Sequence, residues 1–336
     1  MNVGTVGHSE RLWEAVLDRG PETRDREEMQ ALVHDPESPS SLRRAEVPDP
    51  VPAPDEALIA VAAASFNFLD LAYADTVHGV GAVPGEDAAG VVVTAAADGS
   101  GPPAGMRVAS FAMGGALAGR RAVATADLGV VPDGVDLVTA AALPAAGVTA
   151  LRAVRRMGSL LGRRVLVTGA SGGVGRYAVQ LAALAGAHVV AQVGSTGRGA
   201  GLSTLGAAEV VTDLAGVAPV HGVVENVGGS LLAATVALLA EGGVALSVGQ
   251  ASGEPTTIDF EAERQRGGCR AVEVFTVGTG HAGFGDDIEE LLGLVAAGRL
   301  DAQIGWRGTW DRAADAVEAL RARQVAGKAV VEIGAQ

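Results

Sequence analysis

Residues 165–175 read VLVTGASGGVG, an apolar run rich in valine that ends in a turn crowded with glycine. Gly169, Gly172 and Gly175 stand at i, i+3 and i+6, with Gly173 among them. Such a stretch suits a strand that stops, reverses tightly and opens a helix whose first N–H groups face an anion. The first glycine permits the turn, the middle pair let the backbone approach a pyrophosphate, and the last allows close contact of helix and strand. A glycine triplet alone carries little weight in a chain with 48 glycines. Here a strand precedes it, an apolar helix from about Gly173 to Ala185 follows, and a second strand, HVVAQV, comes next.

Strand-like and helix-like segments alternate from that point to about residue 250, which predicts parallel strands with crossover helices. One of the helices is expected over LLAATVALLAEGG. Upstream, from Met29, short β-rich stretches punctuated by Pro and Gly predict a barrel-like domain. The last portion, with two amphipathic helices and a closing strand, is expected to return to that first domain. Residues 1–28 read as a short amphipathic helix and a charged linker outside the main fold. The chain is thus an α/β protein in four parts: an extension over 1–28, a β-rich domain over 29–145, a parallel-sheet domain over 146–277 and a return over 278–336. At 336 residues it is too long for one ordinary core.

Charged residues make up 19% and apolar residues 48%, a balance that excludes general disorder. The net charge of −14 opposes binding to nucleic acid. A single cysteine, Cys269, excludes an internal disulfide and a shared structural zinc. The N-terminus lacks the apolar core of a signal peptide, and the Ala-rich run near 138–154 is broken by Pro144 and Arg152. A cytoplasmic protein without membrane or nucleic-acid partners is expected. Lys328 is the only lysine, so nearly all cationic roles fall to arginine.

The strand HVVAQV should end near an adenosine ribose. A site for NAD usually places a carboxylate there to accept from the 2′-hydroxyl. This chain instead has Gly194, Ser195, Thr196 and Gly197, followed by Arg198. Hydroxyls and a guanidinium without a carboxylate suit a 2′-phosphate, which points to NADPH.

Taken together, VPGEDAAGVV, AAALPAAGVTALRAV, VLVTGASGGVGRYAVQLA, ENVGG, GGVALSVGQASGEPTTIDF and VAGKAVVEIG make the chain resemble the medium-chain dehydrogenase/reductase superfamily, in its zinc-independent quinone oxidoreductase and enoyl reductase branch. The resemblance implies a GroES-like catalytic domain, a Rossmann doubly wound domain, an active site in the cleft between them, a small-molecule substrate and a homodimer. It also brings in reductases of polyketide pathways. Zinc-dependent relatives carry a catalytic cysteine and a Gly-His-Glu motif. This chain has SFNFLD and Gly85-Glu86-Asp87 at those places, so no metal ligand is expected.

Carried over by motif, the resemblance implies Gly172, Gly173, Val174 and Gly175 at the pyrophosphate, with Ser195 and Arg198 at the 2′-phosphate. It implies Asp213 at the adenine end, and Asn226, Gly249, Gln250 and Ala251 on the ribose and nicotinamide side. Thr149 would sit near the carboxamide, Phe275 and Val277 near the nicotinamide pocket, and Asn67 at the nicotinamide and substrate. The family's substrate-contacting tyrosine falls at Ala72 here, with Tyr73 one residue later, which turns the phenol by about 100° on a helix. Asn67 and Tyr73 are the catalytic candidates, and solvent is the default proton source. His78 reads as a surface loop residue, Asp70 as structural, Cys269 as inert, and Trp306 and Trp310 as packing for the C-terminal return. The chemistry expected is hydride transfer to a quinone or an activated alkene. A different biosynthetic reaction, or cofactor binding without catalysis, remains the alternative.

Overall fold

The computed structural model describes residues 28–72, 79–278 and 283–334. The helix expected in the N-terminal extension lies outside them.

The glycine turn belongs to a six-stranded parallel sheet. It contains β8 (Arg164–Val167), β9 (His188–Gln192), β10 (Ala207–Val211), β11 (Val220–Glu225), β12 (Leu239–Ser247) and β13 (Ala271–Val274). Their order is β10-β9-β8-β11-β12-β13. The chain winds outward in one direction from β8 and in the other from β11, so the order reverses between these two strands. A crevice for a ligand opens at such a reversal, outside the carboxyl ends of the strands. Val165, Leu166 and Val167 are fully buried, as a strand covered on both faces requires.

The first domain is built on a seven-stranded sheet. It includes β3 (Glu56–Phe66), β4 (Asp87–Thr94), β5 (Arg107–Phe111), β6 (Arg120–Ala124) and β7 (Leu128–Val130). Two strands from the C-terminal return, β14 (Ile304–Thr309) and β15 (Lys328–Glu332), complete it. β15 pairs antiparallel with β3, so the end of the chain is stitched into the sheet that its beginning started. A hairpin of β1 (Glu28–His34) and β2 (Leu42–Pro48) lies beside it.

Two short helices bear on the site. α1 (Phe68–Ala72) follows β3, and α2 (Leu137–Ala141) starts at Asp136, whose carboxylate accepts from the Thr139 N–H. The next helix, α3 (Pro144–Arg156), begins with a proline where a missing N–H costs nothing. It is almost entirely buried and rich in Ala and Gly, because α4 (Gly173–Leu184) and other elements close on it from several sides. α5 (Gly229–Leu238) and α6 (Phe260–Arg266) are crossover helices of the parallel sheet. α7 (Gly285–Ala296) packs on α3, and a Cβ at Gly147 would stand 2.9 Å from Leu291.

α5 is shorter than the sequence pattern predicts. It ends at Leu238, and the residues expected to prolong it begin β12 instead. Gly242 takes φ +75°, and a Cβ at Gly243 would lie 2.9 Å from the His221 carbonyl oxygen of β11. Close backbone approach of neighbouring strands thus overrides local helical periodicity.

α8 (Ala313–Arg321) completes the return. Trp310, 7% exposed, sits in a core with Phe66, Val317 and Val331, as expected for a packing tryptophan. Among the described residues no helix is long and apolar enough to cross a membrane.

Candidate active site

The turn after β8 has the geometry its glycines suggest. Gly169 takes φ +56°, the Gly172 N–H donates to the Gly169 carbonyl at 3.0 Å, and α4 begins at Gly173. A Cβ at Gly175 would stand 2.5 Å from the Gly169 oxygen and 2.7 Å from the Ala170 Cα, so no side chain fits there. The first N–H groups of α4, on Gly173, Val174 and Gly175, have no carbonyl within the helix to accept them and form a cradle for an anion.

This cradle meets the start of β15. Gly172 and Gly327 form a parallel bridge, the Gly327 N–H donates to the Ser171 oxygen at 3.1 Å, and a Cβ at Gly173 would lie 3.1 Å from Lys328 Cδ. Lys328 therefore stands beside the turn, with a side chain only 2% exposed.

Lys328 enters a buried polar cluster centred on Asp87. Its Nζ donates to Asp87 Oδ2 at 3.1 Å, to the Phe66 carbonyl at 3.1 Å and to Asn67 Oδ1. Asp87 Oδ2 also accepts from Ser65 Oγ at 3.0 Å and Asn67 Nδ2 at 2.9 Å, while Oδ1 accepts from the Ala145 N–H at 2.7 Å. One carboxylate thus joins β3, the first turn of α3 and β15. The Asn67 amide is fixed on both sides.

Two further acids flank this hub. Asp70 Oδ2 accepts from the Asn67 N–H at 2.8 Å, the structural role expected of it. Burial outweighs that hydrogen bond, and with the nearby charge of Asp87 raises the Asp70 carboxyl to about 6. Glu86 is 5% exposed. Burial first, then the charges of Asp70 and Asp87, push its carboxyl up to about 8, against the opposing pull of Lys328 and Arg121. Arg121, on β6, spends its guanidinium on Ser110 Oγ and the carbonyls of Ala112 and Gly114.

At the far end of the crevice, Ser195 precedes a short 3₁₀ turn over Thr196–Gly199, and the Arg198 N–H donates to the Ser195 carbonyl at 3.1 Å. The Arg198 guanidinium makes no hydrogen bond or ion pair among the described residues. A cavity of about 570 Å³ lies alongside, lined by Val193, Thr196, Ala200 and Asp213 among others. Asp213 Oδ1 holds the Ala215 N–H at 2.9 Å. Arg176 was not anticipated from the sequence. It donates to Ser171 O at 3.3 Å, Gln303 Oε1 at 2.5 Å and Ala200 O at 3.0 Å, tying this turn to the glycine cradle.

On the other side of the crevice, the Asn226 N–H donates to Thr168 Oγ1 and its amide to the Thr168 carbonyl, each at 2.9 Å. Glu225, also missed, accepts from Thr168 Oγ1, Val227 N–H and Gly228 N–H, and so locks the ends of β8 and β11 together. Gly249 and Ala251 hydrogen-bond through their N–H groups to Glu225 and Asn226 carbonyls, whereas the Gln250 side chain turns to the Glu254 carbonyl. Thr149 Oγ1 donates to the Ala145 carbonyl at 2.6 Å within α3. Phe275 is tied by its N–H to Ser247, and Val277 by its carbonyl to Arg152. Tyr73 and His78 lie outside the described residues.

Among known proteins, a model for the alcohol dehydrogenase GroES-like domain matches residues 53–151, and one described as zinc-binding dehydrogenase matches residues 205–331. The first covers the sheet domain that carries Asp87, and the second runs from β10 through β13 to the return, leaving the glycine turn between the two matches. The chain belongs to the medium-chain dehydrogenase/reductase family, of the quinone oxidoreductase type.

This medium-chain dehydrogenase/reductase is 39% identical over 171 residues to a chloroplastic quinone-oxidoreductase homologue of Spinacia oleracea, covering 46% of the chain and 52% of the relative. That match therefore spans about half the length of the relative. It is 33% identical over 279 residues to the erythronolide synthase EryA2 of Saccharopolyspora erythraea, covering 74% of the chain but 7% of that much larger protein. In fold it is similar to Escherichia coli quinone oxidoreductase, solved in complex with NADPH, with a TM-score of 0.80 at 22% identity over 91% of the chain and 100% of that structure. The GroES-like and Rossmann-like architecture is thereby that of the family. Among the described residues no three His, Cys, Asp or Glu side chains gather as a metal site.

Proposed function

We propose that this medium-chain reductase is a cytoplasmic, NADPH-dependent and metal-free enzyme that reduces a quinone or an α,β-unsaturated carbonyl compound. The observation that carries the reading is the meeting of the glycine cradle with Lys328 beside the Asn67–Asp87 cluster. A phosphate cradle and a rigid polar pocket then share one crevice. NADPH supplies, when bound, the hydride for an electrophilic carbon or quinone.

The chain's own groups bind and orient. The N–H groups of Gly173, Val174 and Gly175 hold the pyrophosphate at the positive end of α4. Ser195 and the unengaged Arg198 hold the 2′-phosphate, next to the adenosine cavity that Asp213 lines. Asn226 and the backbone of Gly249, Gln250 and Ala251 line the ribose side, with Thr149, Phe275 and Val277 toward the nicotinamide. Asn67, fixed by Asp87 and Lys328, orients the substrate carbonyl. Tyr73 remains a candidate for substrate contact. The metal-free reading is supported by the donor chemistry: the Ser65–Asp70 and Gly85–Asp87 segments offer no thiolate or imidazole, and both Asp87 oxygens are engaged.

The names of the similar proteins support quinones as acceptors. A second reading, enoyl reduction of a polyketide intermediate, is favoured by the match to erythronolide synthase. Both are tested by following absorbance loss of NADPH and NADH against a panel of quinones and enones. Preferential NADPH consumption is the expected result. Cofactor binding without turnover of any acceptor would favour a non-catalytic binding protein.

The proposed homodimer has a natural surface in β13, an edge strand with Val274 88% and Val272 41% exposed. Sedimentation should show a dimer for the wild type and a monomer for Val274→Lys, because a charge there faces the partner's edge.

A further inference from the structure

One carboxyl of the polar cluster, that of Glu86, takes no part in the hydrogen bonds that hold the fold. Glu86 is 5% exposed, yet among the described residues no hydrogen-bond donor and no ion-pair partner reaches its carboxyl. Lys328 is committed to Phe66, Asn67 and Asp87, and the two terminal nitrogens of Arg121 to Ser110, Ala112 and Gly114, while Arg121 Nε is buried without a hydrogen-bond partner. Next to Glu86, Asp87 differs in every respect, with both oxygens occupied. A buried carboxyl without a partner costs stability, so its presence calls for a role.

The surroundings explain which form Glu86 takes. Asp70 on α1 and Asp87 on β4 face it with negative charge, Lys328 on β15 and Arg121 on β6 with positive charge. Both cations have anionic or carbonyl partners in contact, whereas the two carboxylates repel a third. Burial first, and then these two carboxylates, favour the protonated form of Glu86. The result is an O–H donor without an acceptor among the described residues, adjacent in sequence to Asp87, which holds the Asn67 amide.

We propose that Glu86 is the acid that protonates the reduced substrate. The proposal rests on the reductase reading. The substrate gains a hydride, and with it two electrons, from the reduced nicotinamide, which is thereby oxidised. The resulting enolate or hydroquinone anion takes the Glu86 proton, so a substrate C–H or O–H bond forms as the Glu86 O–H bond breaks. Glu86 is left as a carboxylate, and water returns a proton before the next turnover. An acid in this role is one whose charged form the pocket disfavours until the substrate's own negative charge has appeared and been neutralised.

The test uses the full-length protein and Glu86→Gln, which keeps the side chain's size, with Glu86→Asp as the conservative rescue. The first readout is independent of turnover. Infrared spectra at neutral pH should show a protonated-carboxyl band that is absent from Glu86→Gln; identical spectra overturn the proposal. The second uses deuterated NADPH and an enone. Single-turnover deuteride transfer should change by no more than about threefold in Glu86→Gln. Steady-state kcat should fall about 10²-fold or more, lose its basic limb near pH 8 and recover in part in Glu86→Asp. Unchanged kcat and pH profile in Glu86→Gln overturn the proposal alone. A wild type that transfers no deuteride to any acceptor overturns the reductase reading, and the proposal with it.

Discussion

Lys328 and Asp87 form a buried ion pair, Nζ to Oδ2 at 3.1 Å with side chains 2% and 0% exposed, between positions 241 residues apart in sequence. It closes the sheet of the first domain against the C-terminal strand. Removing one partner of such a pair leaves a buried charge uncompensated. Lys328→Met should therefore lose about 3–5 kcal/mol in urea unfolding. Combining it with Asp87→Asn should restore part of the loss. A double variant whose loss equals the sum of the separate Lys328→Met and Asp87→Asn losses would show that the pairing itself contributes nothing.

Stability should fall as pH rises through the range where Glu86 differs between folded and unfolded chains. Unfolded Glu86 releases its proton near the ordinary glutamate value of 4.5, and the folded residue keeps it to about 8. Between these limits the native state binds more protons, so raising pH favours unfolding. Asp70, raised to about 6, acts in the same direction over a lower window. Glu86→Gln should gain on the wild type by on the order of 1 kcal/mol or more between about pH 5 and pH 8. Denaturant midpoints across that range give the answer.

Arg198 is expected to decide cofactor choice. Charge-assisted hydrogen bonds contribute about 1.5–3 kcal/mol. Arg198→Ala should therefore weaken NADPH binding about 10- to 100-fold and leave NADH nearly unchanged. Calorimetric titration of both cofactors distinguishes this from a general loss of binding.

Gly175 in the turn and Gly293 in α7 should respond oppositely to alanine. Gly175→Ala forces the Gly169 carbonyl to move, because the new Cβ would lie 2.5 Å from it. A cost of about 1–3 kcal/mol and a loss of cofactor affinity are expected. Gly293, within α7, has nothing within 4 Å of its added Cβ. Gly293→Ala should stabilise the fold by up to about 1 kcal/mol in thermal unfolding.

What could be read from the sequence is what depends on neighbours in sequence. The turn at Gly169–Gly175, α4 and the alternation of strands and helices follow from local spacing, and the structure contains them. The missing carboxylate after β9 is equally local. The polar cluster is not. Asn67, Glu86, Asp87 and Lys328 come from three separate stretches, and nothing in VAGKAVV announces that its lysine turns inward. The only available signal was a sole lysine set among strand residues, where burial demands a counter-charge. Arg176 and Glu225 were hidden for the same reason, since their partners are Gln303 and Ala200 in one case and Thr168 in the other. α5 shows the converse, where local periodicity misled because β11 and β12 approach too closely for a helix to continue.

The most direct test of the account is the fate of the transferred hydrogen. Wild-type protein incubated with NADPH deuterated at the nicotinamide carbon, and with an enone as acceptor, should yield a product carrying one deuterium at the former β-carbon. A product formed without deuterium, or none formed from any enone or quinone while NADPH binds, would contradict it.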